Sequence, residues 1–139
     1  EFRAQGRERT ANGWEVDPGG LTEVLRRVHD DYTDLPIFIT ENGSAWEDHV
    51  TEEGHVHDDG RTRYLADHLE ACADAIAAGV PLRGYFVWSF LDNFEWAEGY
   101  RYRFGLVRVD YDTLARTVKD SGTWYAEFIR AHRRAILGP

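Results

Sequence analysis

The sequence predicts an α/β fold, and three features carry that expectation. Residues 37–40, IFIT, form a continuous apolar, β-branched run that is too short for a helix and does not alternate, as a strand covered on both faces would read. Residues 82–90, LRGYFVWSF, form a second such run. Between them, residues 57–79 carry helical periodicity, so the three segments make a βαβ unit, normally right-handed with parallel strands. Such a unit cannot stand alone, because two parallel strands leave both edges unpaired and apolar surface uncovered.

In chain order, residues 1–20 are polar and Gly-rich and read as a loop. A helix follows from Leu21 to about Tyr32, its buried face marked by Leu21, Val24, Leu25 and Val28 at spacings of three and four. Pro36 stops it before the first strand. Residues 44–60 are acidic and Gly-rich with three histidines, the composition of a surface loop. In the next helix Asp58 or Asp59 is the candidate N-cap, Tyr64, Leu65, Leu69, Cys72 and Ile76 form the stripe, and Gly79 ends it before Pro81. After the second strand comes an aromatic and acidic loop, residues 91–103, and then FGLVRVDYDTLART at 104–117, whose alternation and DYDT turn suggest a hairpin. Residues 119–137 close the chain as an amphipathic helix with Asp120 or Ser121 as cap. No internal repeat or low-complexity linker marks a second domain, so residues 1–139 read as one domain.

Composition excludes several function classes. With 16 Lys and Arg against 25 Asp and Glu, the net charge of −9 repels both a phosphate backbone and an anionic membrane, so neither nucleic acid nor membrane is an expected partner. No stretch reaches the roughly 18–20 apolar residues of a membrane helix, and a soluble, cytoplasmic protein is expected. The single cysteine, Cys72, lies in an Ala-rich helical segment and reads as a small core filler. The chain holds no methionine, so something is expected to precede Glu1.

Two stretches carry chemistry. In TENG, Asn42-Gly43 alone would suggest a hairpin turn with Glu41 as a solvated flank, but a charged loop and a long helix follow instead of an alternating strand. Glu41 therefore falls at the C-terminal end of a parallel strand, where α/β folds place their active sites. The second strand runs into YFVWSFLDNFEWAEGYRYRFG, residues 85–105, dense in aromatics and carboxylates. An indole face takes the C–H face of a sugar ring while carboxylate oxygens accept from its hydroxyls. Some of these aromatics, including Phe86 and Phe90, are expected in the core, but an all-core reading leaves Asp92, Glu95 and Glu98 unexplained.

IFITENG at 37–43, GYFVWSFLDNFEWAEGYRYRFGLVRVDY at 84–111 and KDSGTWYAEFI at 119–129 resemble the C-terminal third of glycoside hydrolase family 1, the β-glucosidase group. TANGWEVDPGGL at 10–21 resembles the segment that precedes that family's nucleophile strand. The resemblance implies that the chain is the C-terminal part of a (β/α)8 TIM barrel, about its last two strands and their helices, since a full barrel needs about 200 residues or more. It makes Glu41 the catalytic nucleophile and Trp88 the floor under the glycone sugar. Glu95 then accepts from two glycone hydroxyls, Trp96 gives its indole N–H to another, Phe104 lies near the hydroxymethyl end, and Trp46 faces the aglycone side.

The implied function is retaining hydrolysis of β-glycosidic bonds with release of terminal β-D-glucose or a related hexose, without cofactor or metal. The implied partners are a β-glucoside or oligosaccharide substrate and the missing N-terminal part of the barrel. The family's acid/base glutamate sits in an Asn-Glu-Pro motif that this chain does not contain. Glu95 would repel a phosphate dianion, which favours neutral glycosides. Asn12 and Val118 depart from the family's usual methionine and proline without touching a site residue. His49, His55 and His57 lie in an acidic loop without the rigid geometry of a metal site. The competing readings are a non-catalytic carbohydrate-binding barrel remnant, a thioglucosidase or transglycosidase of the same family, and a structural βαβ domain with no ligand.

Overall fold

The structure, a computed structural model, describes residues 6–137; residues 1–5 of the expected N-terminal loop lie outside them. Helix α1 spans Pro18–Tyr32 and starts three residues earlier than its apolar stripe suggests. Asp17 caps it by accepting from the Gly20 N–H at 3.2 Å, and Pro18, which has no N–H to satisfy, takes the first turn. Leu25 is buried and Leu21 packs beside it, whereas Val24, expected in the stripe, points outward.

Strand β1, Ile37–Asn42, pairs in parallel with β2, Leu82–Val87, through helix α2, Asp59–Ala77, which is the expected βαβ unit. Ile37 and Ile39 of β1 face Leu82 and Tyr85 of β2, and together they pack on Leu21, Leu25, Cys72, Ala75 and Val80. Cys72 is thus core, and burial pushes its thiol up to about 11. Helices cover one face of this sheet only. The pleat sends Phe38 and Phe86 to the other face, where they are 54% and 58% exposed. Two expectations are corrected: the strands are not covered on both faces within this chain, and Phe86 and Phe90 are exposed rather than core.

The buried stripe of α2 is Arg61, Leu65, His68, Ala71, Cys72 and Ala75. It is turned from the expected one, and Ile76 faces outward, because α2 packs small alanines against its neighbours and buries two cationic-type side chains that hydrophobic periodicity does not register. Gly79, at φ +100°, ends the helix in the left-handed region as expected. Asp58 occupies the N-cap position of α2 but caps a different helix. Its Oδ1 accepts from the Ser121 backbone N–H at 2.8 Å and its Oδ2 from the Ser121 hydroxyl at 2.5 Å, at the start of α3, Asp120–Leu137.

The expected hairpin is present as β3, Val107–Val109, antiparallel to β4, Arg116–Val118. Asp110 closes its turn by accepting from the N–H groups of Asp112 and Thr113, and the Thr113 bonds hold its carboxyl below the usual range. Among the described residues no helix is long and apolar enough to cross a membrane.

Candidate active site

Because β1 and β2 run parallel, their C-terminal ends deliver side chains to one edge. Glu41 is the penultimate residue of β1, and Trp88 follows β2 directly, its N–H still bonded to the Asn42 carbonyl at 3.0 Å. Gly43 explains the glycine of TENG: a Cβ there would lie 1.6 Å from the Trp88 carbonyl oxygen. The dipeptide is a close backbone approach between the two strand ends, not a hairpin turn. Asn42 is fixed by accepting the Tyr85 hydroxyl at 2.7 Å.

Beyond the strand ends lies an open cleft of about 580 Å³, lined by Trp14, Glu41, Asn42, Gly43, Tyr64, Trp88, Glu95, Trp96 and Phe104. The Trp88 indole N–H donates to Glu95 Oε1 at 3.1 Å, which fixes the carboxylate relative to the ring and leaves acceptor capacity for a ligand. The loop behind Glu95 folds on itself: the Glu95 N–H bonds the Gly99 carbonyl at 2.7 Å, and Trp96–Glu98 makes a single 3₁₀ turn. Trp96 sits at φ +49°, rarely adopted by a bulky side chain, with its indole 83% exposed over the cleft. Phe104 is buried with its ring 6.0 Å from Trp14.

Five of the six expected site residues therefore converge. Trp46 does not: its indole donates to Ser44 Oγ at 2.7 Å, covers the space a Cβ of Gly60 would occupy, and lines a separate depression with His49 and Arg101. Two cleft residues lie outside the motif-based set. Tyr64 reads in the sequence as part of the α2 stripe, yet it lines the cleft from the N-terminal part of α2, stacked 3.8 Å from His68. Burial raises its phenol pKa, with a hydrogen bond from Asn42 opposing. Trp14 is the second, and its signal in the sequence is that it is the one tryptophan of the polar loop at residues 1–20.

A buried ion network ties together the loops that follow β1 and β2. Arg61 bonds Asp58, Asp48 Oδ1 at 3.2 Å, the Ser44 carbonyl and the Arg103 carbonyl at 2.7 Å. Lys119 Nζ stands 2.5 Å from Asp48 Oδ2 and 2.9 Å from Asp92 Oδ1. Asp92 also accepts from Arg103 Nη1 at 2.5 Å and from the N–H groups of Gly105 and Val109. Three cations, Arg61, Arg103 and Lys119, thus meet three anions, Asp48, Asp58 and Asp92, and the cluster is neutral. Desolvation lowers the Lys119 pKa, and the two carboxylates oppose it. Asp92, puzzling among the aromatics, is explained here; Glu98 is a surface residue 3.8 Å from Arg101.

The loop histidines are engaged elsewhere. His57 Nδ1 meets Asp120 Oδ2 at 2.5 Å, which raises its pKa, and His55 stacks on it at 6.3 Å. Among the described residues no group of three or more His, Cys, Asp or Glu is arranged to hold a metal ion. What the cleft offers is a carboxylate at a strand end, a second carboxylate held by an indole, and aromatic walls. That set suits a polyhydroxylated ring with an electrophilic carbon.

Known proteins resemble this chain in sequence and in fold. The family model for glycosyl hydrolase family 1 matches residues 3–134. Beta-glucosidase A of Thermotoga maritima is 53% identical over 88% of this chain, and a bifunctional beta-D-glucosidase/beta-D-fucosidase of Bifidobacterium breve is 50% identical over 88%. The chain spans only 27% and 28% of those relatives' lengths. Among solved structures, a family 1 β-glucosidase from Thermotoga maritima in complex with isofagomine lactam superimposes with a TM-score of 0.91 at 51% identity, covering 94% of this chain and 30% of that one. A psychrophilic β-glucosidase from Micrococcus antarcticus gives 0.92 at 54% identity, covering 94% and 28%. The open parallel sheet and its helices are the C-terminal part of a (β/α)8 barrel, and the chain belongs to glycosyl hydrolase family 1.

Proposed function

We propose that the protein containing this chain hydrolyses β-glycosidic bonds with retention, releasing terminal β-D-glucose or a related hexose, and that this chain supplies the nucleophile and most of the glycone site. The observation that carries the reading is the convergence of Glu41, Trp88, Glu95 and Trp96 in one cleft at the C-terminal ends of β1 and β2. Glu41 attacks the anomeric carbon and forms a glycosyl ester as the leaving oxygen departs, and water then hydrolyses the ester. Trp88 lies under the sugar ring, Glu95 and Trp96 bind its hydroxyls, and Phe104 and Trp14 close the cleft wall. The carboxyl group that protonates the leaving oxygen, about 5–5.5 Å from Glu41 in a retaining enzyme, comes from another part of the barrel. The exposed Phe38 and Phe86 face supports that placement, since it offers the remaining strands an apolar surface. Residues 1–139 form one incomplete domain of a cytoplasmic enzyme in this reading.

The test uses the full-length enzyme with an aryl β-glucoside. Glu41→Gln lowers kcat by about 10⁴-fold or more, and a 2-fluoro-glucoside leaves its sugar on the peptide that holds Glu41. Ordinary turnover by Glu41→Gln, or a label on another carboxylate, overturns the assignment.

A further inference from the structure

Lys119 has its ammonium fully buried between two carboxylates that belong to two different loops. Asp48 stands on the loop that leaves β1 seven residues after Glu41, and Asp92 on the loop that leaves β2, three residues before Glu95. Nζ lies 2.5 Å from Asp48 Oδ2 and 2.9 Å from Asp92 Oδ1, so one cation joins the loop that follows the strand of Glu41 to the loop that carries Glu95. Each loop is also held from a second side. Arg61 grips Asp48 and the Ser44 carbonyl; Arg103 and the Gly105 N–H grip Asp92, next to the cleft residue Phe104. Lys119 is itself fixed by the chain, as its N–H bonds the Leu106 carbonyl at 3.0 Å and its carbonyl accepts the first bonds of α3.

We propose that Lys119 is a positioning residue of the glycone site: by bridging Asp48 and Asp92 it holds Glu95 at a fixed place relative to Glu41. It touches no substrate and acts through both carboxylates. Glu95 selects for the hydroxyls it accepts from only while it stays in register with a sugar whose anomeric carbon is at Glu41. A misplacement of about 1 Å costs on the order of 10²-fold in rate. Loosening the bridge therefore erodes discrimination at the hydroxyls beside Glu95 and leaves the nucleophile's chemistry in place. The inference rests on the proposed glycosidase reading.

The experiment is made in the full-length enzyme with an aryl β-glucoside and its 4-deoxy and 6-deoxy analogues. Lys119→Met alone leaves one buried negative charge of the cluster uncompensated and is expected to destabilise the fold. The deciding variant is Lys119→Met with Asp48→Asn, which leaves Arg61 against Asp58 and Arg103 against Asp92 and keeps the cluster neutral. The double variant is expected to fold, to lose about 10- to 100-fold in kcat/KM on the glucoside, and to lose at most about 3-fold on a deoxy analogue. The preference for the natural sugar then collapses. Equal losses on all three substrates, or a double variant that does not fold, would make the bridge a stability element and overturn the inference. A parent enzyme that cleaves glucosides but does not prefer them to either deoxy analogue overturns it too, leaving the glycosidase reading intact. A parent inactive on all of them removes that reading and the inference with it.

Discussion

Gly43 lies where the ends of β1 and β2 meet backbone to backbone. As half of an Asn-Gly pair it looks like a turn, yet its place is set by the Trp88 carbonyl oxygen 1.6 Å from where a Cβ would be. That oxygen is backbone, so nothing flexible can move aside. Gly43→Ala in the full-length enzyme is expected to cost about 1–3 kcal/mol by thermal or urea unfolding. It should also lower kcat more than a surface Gly→Ala, because the forced shift falls on Glu41 or Trp88; unchanged stability and kcat would show that the strand ends part freely. Glu41 and Trp88 could be placed at the cleft because motif and strand end agree on them, and Glu95 because it falls in the aromatic and acidic loop that follows β2. Trp46 was not, since a loop tryptophan facing a ligand and one lying over Gly60 look alike in sequence.

At the scale of the element, helices, parallel strands and hairpin were legible, and which side of each helix is buried was less so. Helix α2 buries Arg61 and His68, which an apolar stripe passes over. The Asp58 carboxylate serves α3, 63 residues on, instead of its own helix, a pairing that local spacing cannot show. His68 carries a pH signature. Its ring is stacked on Tyr64, its Nδ1 meets the Tyr64 carbonyl at 2.7 Å, and burial lowers its pKa from 6.5, with Asp67 opposing. The unfolded chain then takes up this proton first as pH falls. His68 therefore contributes stability that is full above 6.5 and lost as pH drops from 6.5 toward the folded value. His57, raised by Asp120 with Asp59 and Asp58 helping, has the opposite sign: its contribution is full below 6.5 and fades as pH rises through its folded value. His57 is exposed, so solvent screening favours the His68 slope. Denaturation midpoints of the full-length enzyme from pH 7.5 to 5 should fall less steeply in His68→Leu than in the parent. Parallel slopes would assign the acid sensitivity to other groups.

For the whole molecule, the decisive feature is the sheet face that α1 and α2 leave uncovered. Phe38 and Phe86 stand there at 54% and 58% exposure, beside a strand pair whose outer edges are unpaired. In water such a face drives association, and in a closed barrel it becomes interior. The sequence could not display this directly, because a run such as IFIT reads as covered on both sides whether or not the covering strands are in the same chain. Two opposite effects of one substitution follow. In the isolated 139-residue chain of 16.0 kDa, Phe38→Ser with Phe86→Ser should shift native mass toward the monomer and reduce aggregation. In the full-length enzyme the same pair should destabilise by about 3–5 kcal/mol per site, as truncation of a packed aromatic does. Equilibrium unfolding of the enzyme and native mass of the fragment measure the two halves. If the double substitution leaves the enzyme's stability unchanged, the face is not barrel interior, and the apolar support proposed for the missing strands has to be sought elsewhere on the chain.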